Sequence, residues 1–115
     1  MFPTTPSSGF SDQSSSALIF GALGDVTRLS LVEKLSRGQA FSISQLAEGS
    51  SISRQAMTKH LKVLENVGIV HCVKSGRESL FNLDPKPIIS MTEYLEIVSR
   101  RWDEALSRLK SFVEE

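Results

Sequence analysis

Apolar and polar residues recur with two different periods along this chain, and the change of period divides it. From Ser53 to Val67, SRQAMTKHLKVLENV, a 100° step gathers Arg54, Glu65, Thr58, Lys62, Gln55, Asn66 and Lys59 into one arc of about 140°, and leaves the rest to Val63, Ala56, Val67, His60, Leu64, Met57 and Leu61. That pattern is a helix with one wet face. Ser53 offers a hydroxyl to a first-turn N–H, and Gly68 offers the positive φ at which such a helix stops. Three shorter helices are expected upstream. The first begins in the serines at 14–16 and carries Leu18, Ile19, Phe20 and Leu23 to Gly24, apolar enough to predict burial against its own domain and a partner chain. The second is capped by Asp25 and runs to about Arg37, with Leu31, Val32 and Leu35 inward and Gly38 as its stop. The third spans Ser42 to Glu48, where Ser42-Ile43-Ser44-Gln45 matches a capping box and Phe41 with Leu46 a hydrophobic staple. Gly49-Ser50-Ser51-Ile52 then turns the chain into the wet-faced helix, which completes a helix-turn-helix.

After Gly68 the period falls to two. Residues 69–74 and 79–83 read as short strands, with Ser75-Gly76-Arg77-Glu78 as the hairpin turn. Asp84-Pro85-Lys86-Pro87 interrupts the chain, and its prolines pre-set the start of a final helix. From there Ile88, Met91, Leu95, Val98, Trp102, Ala105, Leu109 and Phe112 follow at alternating steps of three and four, a heptad seam roughly 40 Å long. A body this small cannot cover such a seam, so much of it is expected to pack against a second copy, with Trp102 as the anchor. Leu18, Leu95, Val98, Trp102 and Leu109 are the dimer-interface residues this predicts.

The expected fold is therefore mainly α with a small β-hairpin, a winged helix-turn-helix in the order α-α-α-α-β-β-α that dimerises through its terminal helices. Residues 1–13, rich in Pro, Ser, Thr and Gly, are expected to be a disordered tail. Residues 14–84 are expected to form the winged helix-turn-helix domain, read below as DNA-binding, and 85–115 the long dimerisation helix packed on it.

Charge sharpens the functional reading. The 13 basic and 13 acidic residues cancel, which argues against a protein that coats nucleic acid unselectively. Yet residues 52–77 hold Arg54, Lys59, Lys62, Lys74 and Arg77 against Glu65 alone. Confined positive charge on a neutral body suits site-specific binding. On the wet helix face, Arg54 can reach guanine edges, Gln55 can pair with adenine, and Lys59 and Lys62 can meet phosphates, which is what insertion into a major groove requires. Lys74 and Arg77 make the hairpin tip basic, suited to a flanking minor groove or backbone. The alternative from another class is a winged-helix module that binds protein.

Other chemistry is sparse. One cysteine, Cys72, excludes an internal disulfide framework and fits a reducing cytosol; it reads as a packed residue, with a redox switch across a dimer as the other option. His60 falls on the apolar arc and reads as a buried, hydrogen-bonded structural histidine. His71 and Cys72 are strand neighbours that point to opposite faces. No catalytic constellation or phosphate-cradling glycine loop stands out, so no enzyme is expected. No run approaches the ~18 apolar residues of a membrane span, and the segment 17–23 lacks the basic flank of a signal peptide, so no membrane association and a cytoplasmic location are expected.

The order of these parts resembles the ArsR/SmtB family of bacterial winged helix-turn-helix repressors over essentially all of residues 15–113. LGDVTRLSLVEKL (23–35), ISQLAEGSSISRQAMTKHLKVLENVGIV (43–70) and SGRESLFNLD (75–84) carry the resemblance. It implies a homodimer on an inverted-repeat operator that blocks transcription until a signal releases it. By matching position, Ser53, Arg54, Gln55, Thr58 and Lys59 face the major groove, Lys62 approaches phosphate, and Arg77 sits on the wing. Where many relatives hold metals through cysteines on the third helix, this chain has Ser44-Gln45-Leu46-Ala47-Glu48, and no histidine lies between Pro87 and Glu115. Thiolate- or imidazole-dependent metals therefore lack ligands, and with Trp102 in the terminal helix the chain looks like the members without metal sites. No metal or other cofactor is expected; double-stranded DNA is the expected partner, and any small-molecule inducer is left unnamed.

Overall fold

The computed structural model describes residues 13–114. Its elements follow in the order α1 (Gln13–Leu23), α2 (Val26–Leu35), β1 (Phe41–Ser42), α3 (Ile43–Ala47), α4 (Arg54–Asn66), β2 (Val70–Ser75), β3 (Glu78–Leu83) and α5 (Lys86–Glu114). The tail expected over residues 1–13 lies outside the described residues except for Gln13, which is the first residue of α1.

Local hydrogen bonds set most helix ends where the sequence places them. Asp25 accepts from the Arg28 N–H at 3.1 Å and starts α2. That bond holds the Asp25 carboxyl below its ordinary range. Ser42 and Gln45 form the reciprocal capping box of α3, with bonds of 3.2 and 2.8 Å. At the far end of α4, Gly68 adopts φ 81°, its N–H reaches the Glu65 carbonyl, and the Ile69 N–H reaches back to Leu64. This paired closure satisfies two otherwise orphaned carbonyls and turns the chain directly into β2. The second helix ends at Leu35 rather than near Arg37, because Ser36 caps it with bonds to Val32 and Glu33.

The sheet has one strand more than the expected hairpin. β1 pairs antiparallel with β3 through Phe41↔Phe81 and Ser42↔Leu80, which gives the order β1-β3-β2. Two residues are too few to display a period of two, so nothing local announces this strand. The hairpin itself is tighter than expected: Ser75 pairs with Glu78, and only Gly76 and Arg77 form the turn.

Leu35, Leu61, Leu64, Ile69 and Val70 are fully buried and lie at the centre of the core, with Leu31, Leu46, Met57 and Phe81 around them. His60 is mostly covered, and its Nδ1 lies 3.2 Å from an Arg28 guanidinium nitrogen and 3.7 Å from the Asp25 carboxylate, so it ties α4 to the start of α2. Arg28 also donates to the Ala22 carbonyl at the end of α1.

Burial fades along α5. Ile88 packs on the core, Met91 is buried, and Tyr94 meets Phe20 of α1 with ring centroids 6.1 Å apart. Farther on, Leu95, Trp102, Leu106, Leu109, Phe112 and Val113 are all exposed. The 29 residues of α5 span about 43 Å at 1.5 Å per residue, and the molecule measures 67 × 33 × 24 Å. No single helix among the described residues is long and apolar enough to cross a membrane.

Because Leu64 is fully buried at the centre of this core, Leu64→Ala is expected to lower unfolding free energy by about 2–5 kcal/mol. Urea denaturation at fixed protein concentration reads this; a loss under ~1 kcal/mol would contradict the packing.

Candidate nucleic-acid interface

The Ser53 hydroxyl accepts from the Ala56 N–H at 3.1 Å, so the residue at the edge of the wet face is also the cap that starts α4. Arg54, Gln55, Thr58, Lys59 and Lys62 are all exposed, while Met57, Leu61 and Leu64 of the same helix are buried. Thr58 donates its hydroxyl hydrogen to the Arg54 carbonyl at 2.8 Å. Outward it therefore offers a methyl group and an acceptor lone pair, the complement of a thymine methyl or a base amino group. Lys62 stands 3.8 Å from the Glu65 carboxylate with its side chain 68% exposed, a surface pair that water screens.

The wing presents Lys74 and Arg77 to solvent at the end of the β2–β3 ribbon. Gly76 takes φ 62° there, which closes the two-residue turn. Cys72, read from sequence as packed, is exposed on β2 instead. Only Val70 of the strand is buried, so the outer ribbon has no core to pack into. His71 Nε2 lies 2.8 Å from Asp84 Oδ2, and the other Asp84 oxygen accepts from the Lys86 N–H at 3.0 Å. The bond to His71, then that to Lys86, hold the Asp84 carboxyl below its ordinary range, and the trio joins the base of the wing to the start of α5.

Pairing of β1 with β3 carries the start of α3 up to the wing. A cleft of about 270 Å³ results, in which Arg54 and Arg77 meet Ser42, Ser44, Ser79 and Glu78. Two arginines that lie 23 positions apart in the sequence are thus brought together, whereas Lys59, Lys62 and Lys74 are not part of that cleft. The three serines and Glu78 were not legible as site residues, since only the β1–β3 register places them there. Among the described residues no three His, Cys, Asp or Glu side chains converge as a metal site.

Known proteins share this fold. The helix-turn-helix domain family matches residues 23–73. The HTH-type transcriptional regulator Rv2034 of Mycobacterium tuberculosis is 34% identical over 86 residues, 75% of this chain and 77% of that protein. Among solved structures, an ArsR-like transcriptional regulator from Rhodococcus sp. RHA1 superposes with a TM-score of 0.77 at 34% identity, over 87% of this chain and 93% of that one. This chain belongs to the ArsR family of helix-turn-helix transcriptional regulators. A third likeness, the homodimeric winged helix-turn-helix DNA-binding domain Mb0332 of Mycobacterium bovis, has a TM-score of 0.60 at 18% identity over 84% of this chain and 85% of that one, and shows the fold alone. As an ArsR-family member the chain is a DNA-binding transcriptional regulator.

In this ArsR-family regulator the wing tip depends on Gly76. A Cβ at that position meets nothing within 4 Å, yet φ 62° disfavours any L side chain. Gly76→Ala is expected to destabilise the hairpin by about 1 kcal/mol, seen as faster amide exchange across residues 71–82 with exchange at Leu61 and Leu64 unchanged. Equal acceleration in α4 would show that the ribbon and core open as one unit.

Proposed function

We propose that this regulator is a repressor that occupies an inverted-repeat operator as a homodimer, and that it carries out no catalysis of its own. Ser53, Arg54, Gln55, Thr58, Lys59 and Lys62 on α4 face the major groove, and Lys74 and Arg77 on the wing meet the flanking backbone or minor groove. The observation that carries this reading is the division of α4: a buried apolar face holds the helix while every long donor on the opposite face stays exposed. Direct readout needs side chains that are rigidly based and free at their tips.

The dimer rests on α5. Leu95, Trp102 and Leu109 are 51%, 64% and 59% exposed, and Leu18 on α1 is 65% exposed, so much of the apolar surface that one protomer leaves uncovered lies on its two terminal helices. Val98, half-buried, completes the seam. A second copy related by a two-fold axis covers this surface and sets two α4 helices about 34 Å apart, one turn of B-DNA. The same fold is homodimeric in the Mycobacterium bovis domain. A cytoplasmic location and the absence of a required metal belong to the same reading, supported by the lack of thiol or imidazole on α3 and α5.

Gel-shift titration on the DNA upstream of the gene tests it. Gln55→Ala is expected to lose about 1–3 kcal/mol of discrimination between cognate and scrambled sites, whereas Lys62→Ala weakens both alike and lowers the salt slope by about one per protomer. A parent protein that leaves the upstream duplex unshifted returns the chain to the protein-interaction reading. Sedimentation of Trp102→Glu is expected to give monomers at concentrations where the parent is a dimer; an undiminished dimer would place the interface elsewhere.

A further inference from the structure

We infer that Arg54 and Arg77 hold one and the same phosphodiester of the DNA backbone in the cleft between α3, α4 and the wing. This rests on the proposed DNA binding and changes the role of Arg54 within it, from reading a base edge to locking the recognition helix and the wing onto a common phosphate. Both arginines line the cleft together with Ser42, Ser44 and Ser79. Among the described residues neither arginine is within ion-pair distance of a carboxylate, so both are available to an incoming anion. At about 270 Å³ the space holds several waters at ~30 Å³ each, and therefore a phosphate group with ordered water around it.

Charge favours a phosphodiester over a free phosphate. Two guanidinium groups and the Glu78 carboxylate leave the cleft with one net positive charge, which matches the single negative charge of a backbone linkage and under-neutralises a dianion. Seryl hydroxyls supply donors that tolerate either non-bridging oxygen, and guanidinium groups bind such oxygens through paired N–H bonds. Arg54 is exposed on α4 as Gln55, Thr58 and Lys59 are, so a duplex laid on those residues brings its backbone toward the cleft that Arg54 lines. Among the residues that line the cleft Glu78 alone opposes the ligand, and it limits affinity for the backbone so that base contacts decide where the protein stays.

The test is a double-mutant cycle read as salt dependence on a duplex that the parent binds. With independent phosphates, Arg54→Ala combined with Arg77→Ala should lower the slope of log K against log[salt] by about two per protomer; a shared phosphate lowers it by about one. Affinity losses are expected to be about tenfold for each single variant and well short of a hundredfold for the pair. Glu78→Gln should tighten binding about threefold in the parent. All three side chains are exposed, and unchanged thermal melting confirms the fold of each variant. Additive losses with a slope change of two, or an unchanged Kd in Glu78→Gln, overturn the shared site while leaving DNA binding intact. A parent that binds no duplex defeats both readings. NMR of the Arg54 and Arg77 side-chain N–H signals supplies the second arm: shifts with duplex at concentrations where inorganic phosphate has no effect support a backbone site, and saturation by inorganic phosphate without response to duplex assigns the cleft to a free anion.

Discussion

Burial of the inner face of α4 is the constraint on which the other features depend. Met57, Leu61 and Leu64 are sealed from solvent, and the helix that carries them touches α1, α2, α3 and β2. Each such side chain contributes about 1.5–3 kcal/mol by leaving water, enough together to fix the rotation of the helix about its axis. Once that rotation is fixed, the donors spaced between the apolar positions have no freedom to turn inward. The capping hydroxyl of Ser53 and the closure at Gly68 set the two ends, so the helix is held in length as well as in rotation. A readout surface needs this rigidity, because the entropy of ordering long side chains is already substantial and a loosely held helix would add to it.

The wing is anchored by different means. Its outer residues have no core of their own, and the ribbon owes its placement to Val70, Phe81 and the two-residue pairing with β1. Ser42 serves two ends in this arrangement: its backbone pairs opposite Leu80 in the sheet, and its side chain starts α3. The first helix of the helix-turn-helix and the wing are thereby tied at one residue, and the cleft between them inherits that register. A basic surface assembled from α4 and a separate ribbon can act as one surface only when such a tie exists.

The terminal helix shows how far one protomer's body reaches. Ile88 and Met91 near its start are covered by the core and Tyr94 meets Phe20, whereas from Leu95 onward its large apolar side chains are mostly exposed, with Ile97 and Val98 half-buried. Contiguous exposed apolar surface of this extent is unusual on a monomeric protein and is the physical pressure toward a partner. Net charge is zero over the whole chain, and the terminal helix is itself balanced, with five acids and five bases; the surplus of bases between Arg54 and Arg77 is offset by acids spread over the rest of the chain. A local surplus of bases on a neutral chain concentrates the attraction for an anionic polymer on α4 and the wing.

Periodicity and punctuation in the sequence determined the helices, their caps, the hairpin and the wet face of α4, because each of these is written within a dozen neighbouring residues. Asp25, Ser42, Ser53 and Gly68 do in space what their side chains and positions announce. The seam on α5 was equally plain, although a heptad says only that a face is apolar and not which stretch of it the domain covers. Tertiary structure alone decided the rest. Strand β1 exists because Phe41 and Ser42 meet a partner some 40 positions away, not because two residues have a period. Cys72 is exposed because its strand leaves the core, which no local pattern reveals. That Arg54 and Arg77 line one cleft is likewise decided only by the folded chain. Local order is encoded by neighbours along the chain; the convergence of charges is encoded by which surfaces bury each other, and that is settled only when the whole chain has folded.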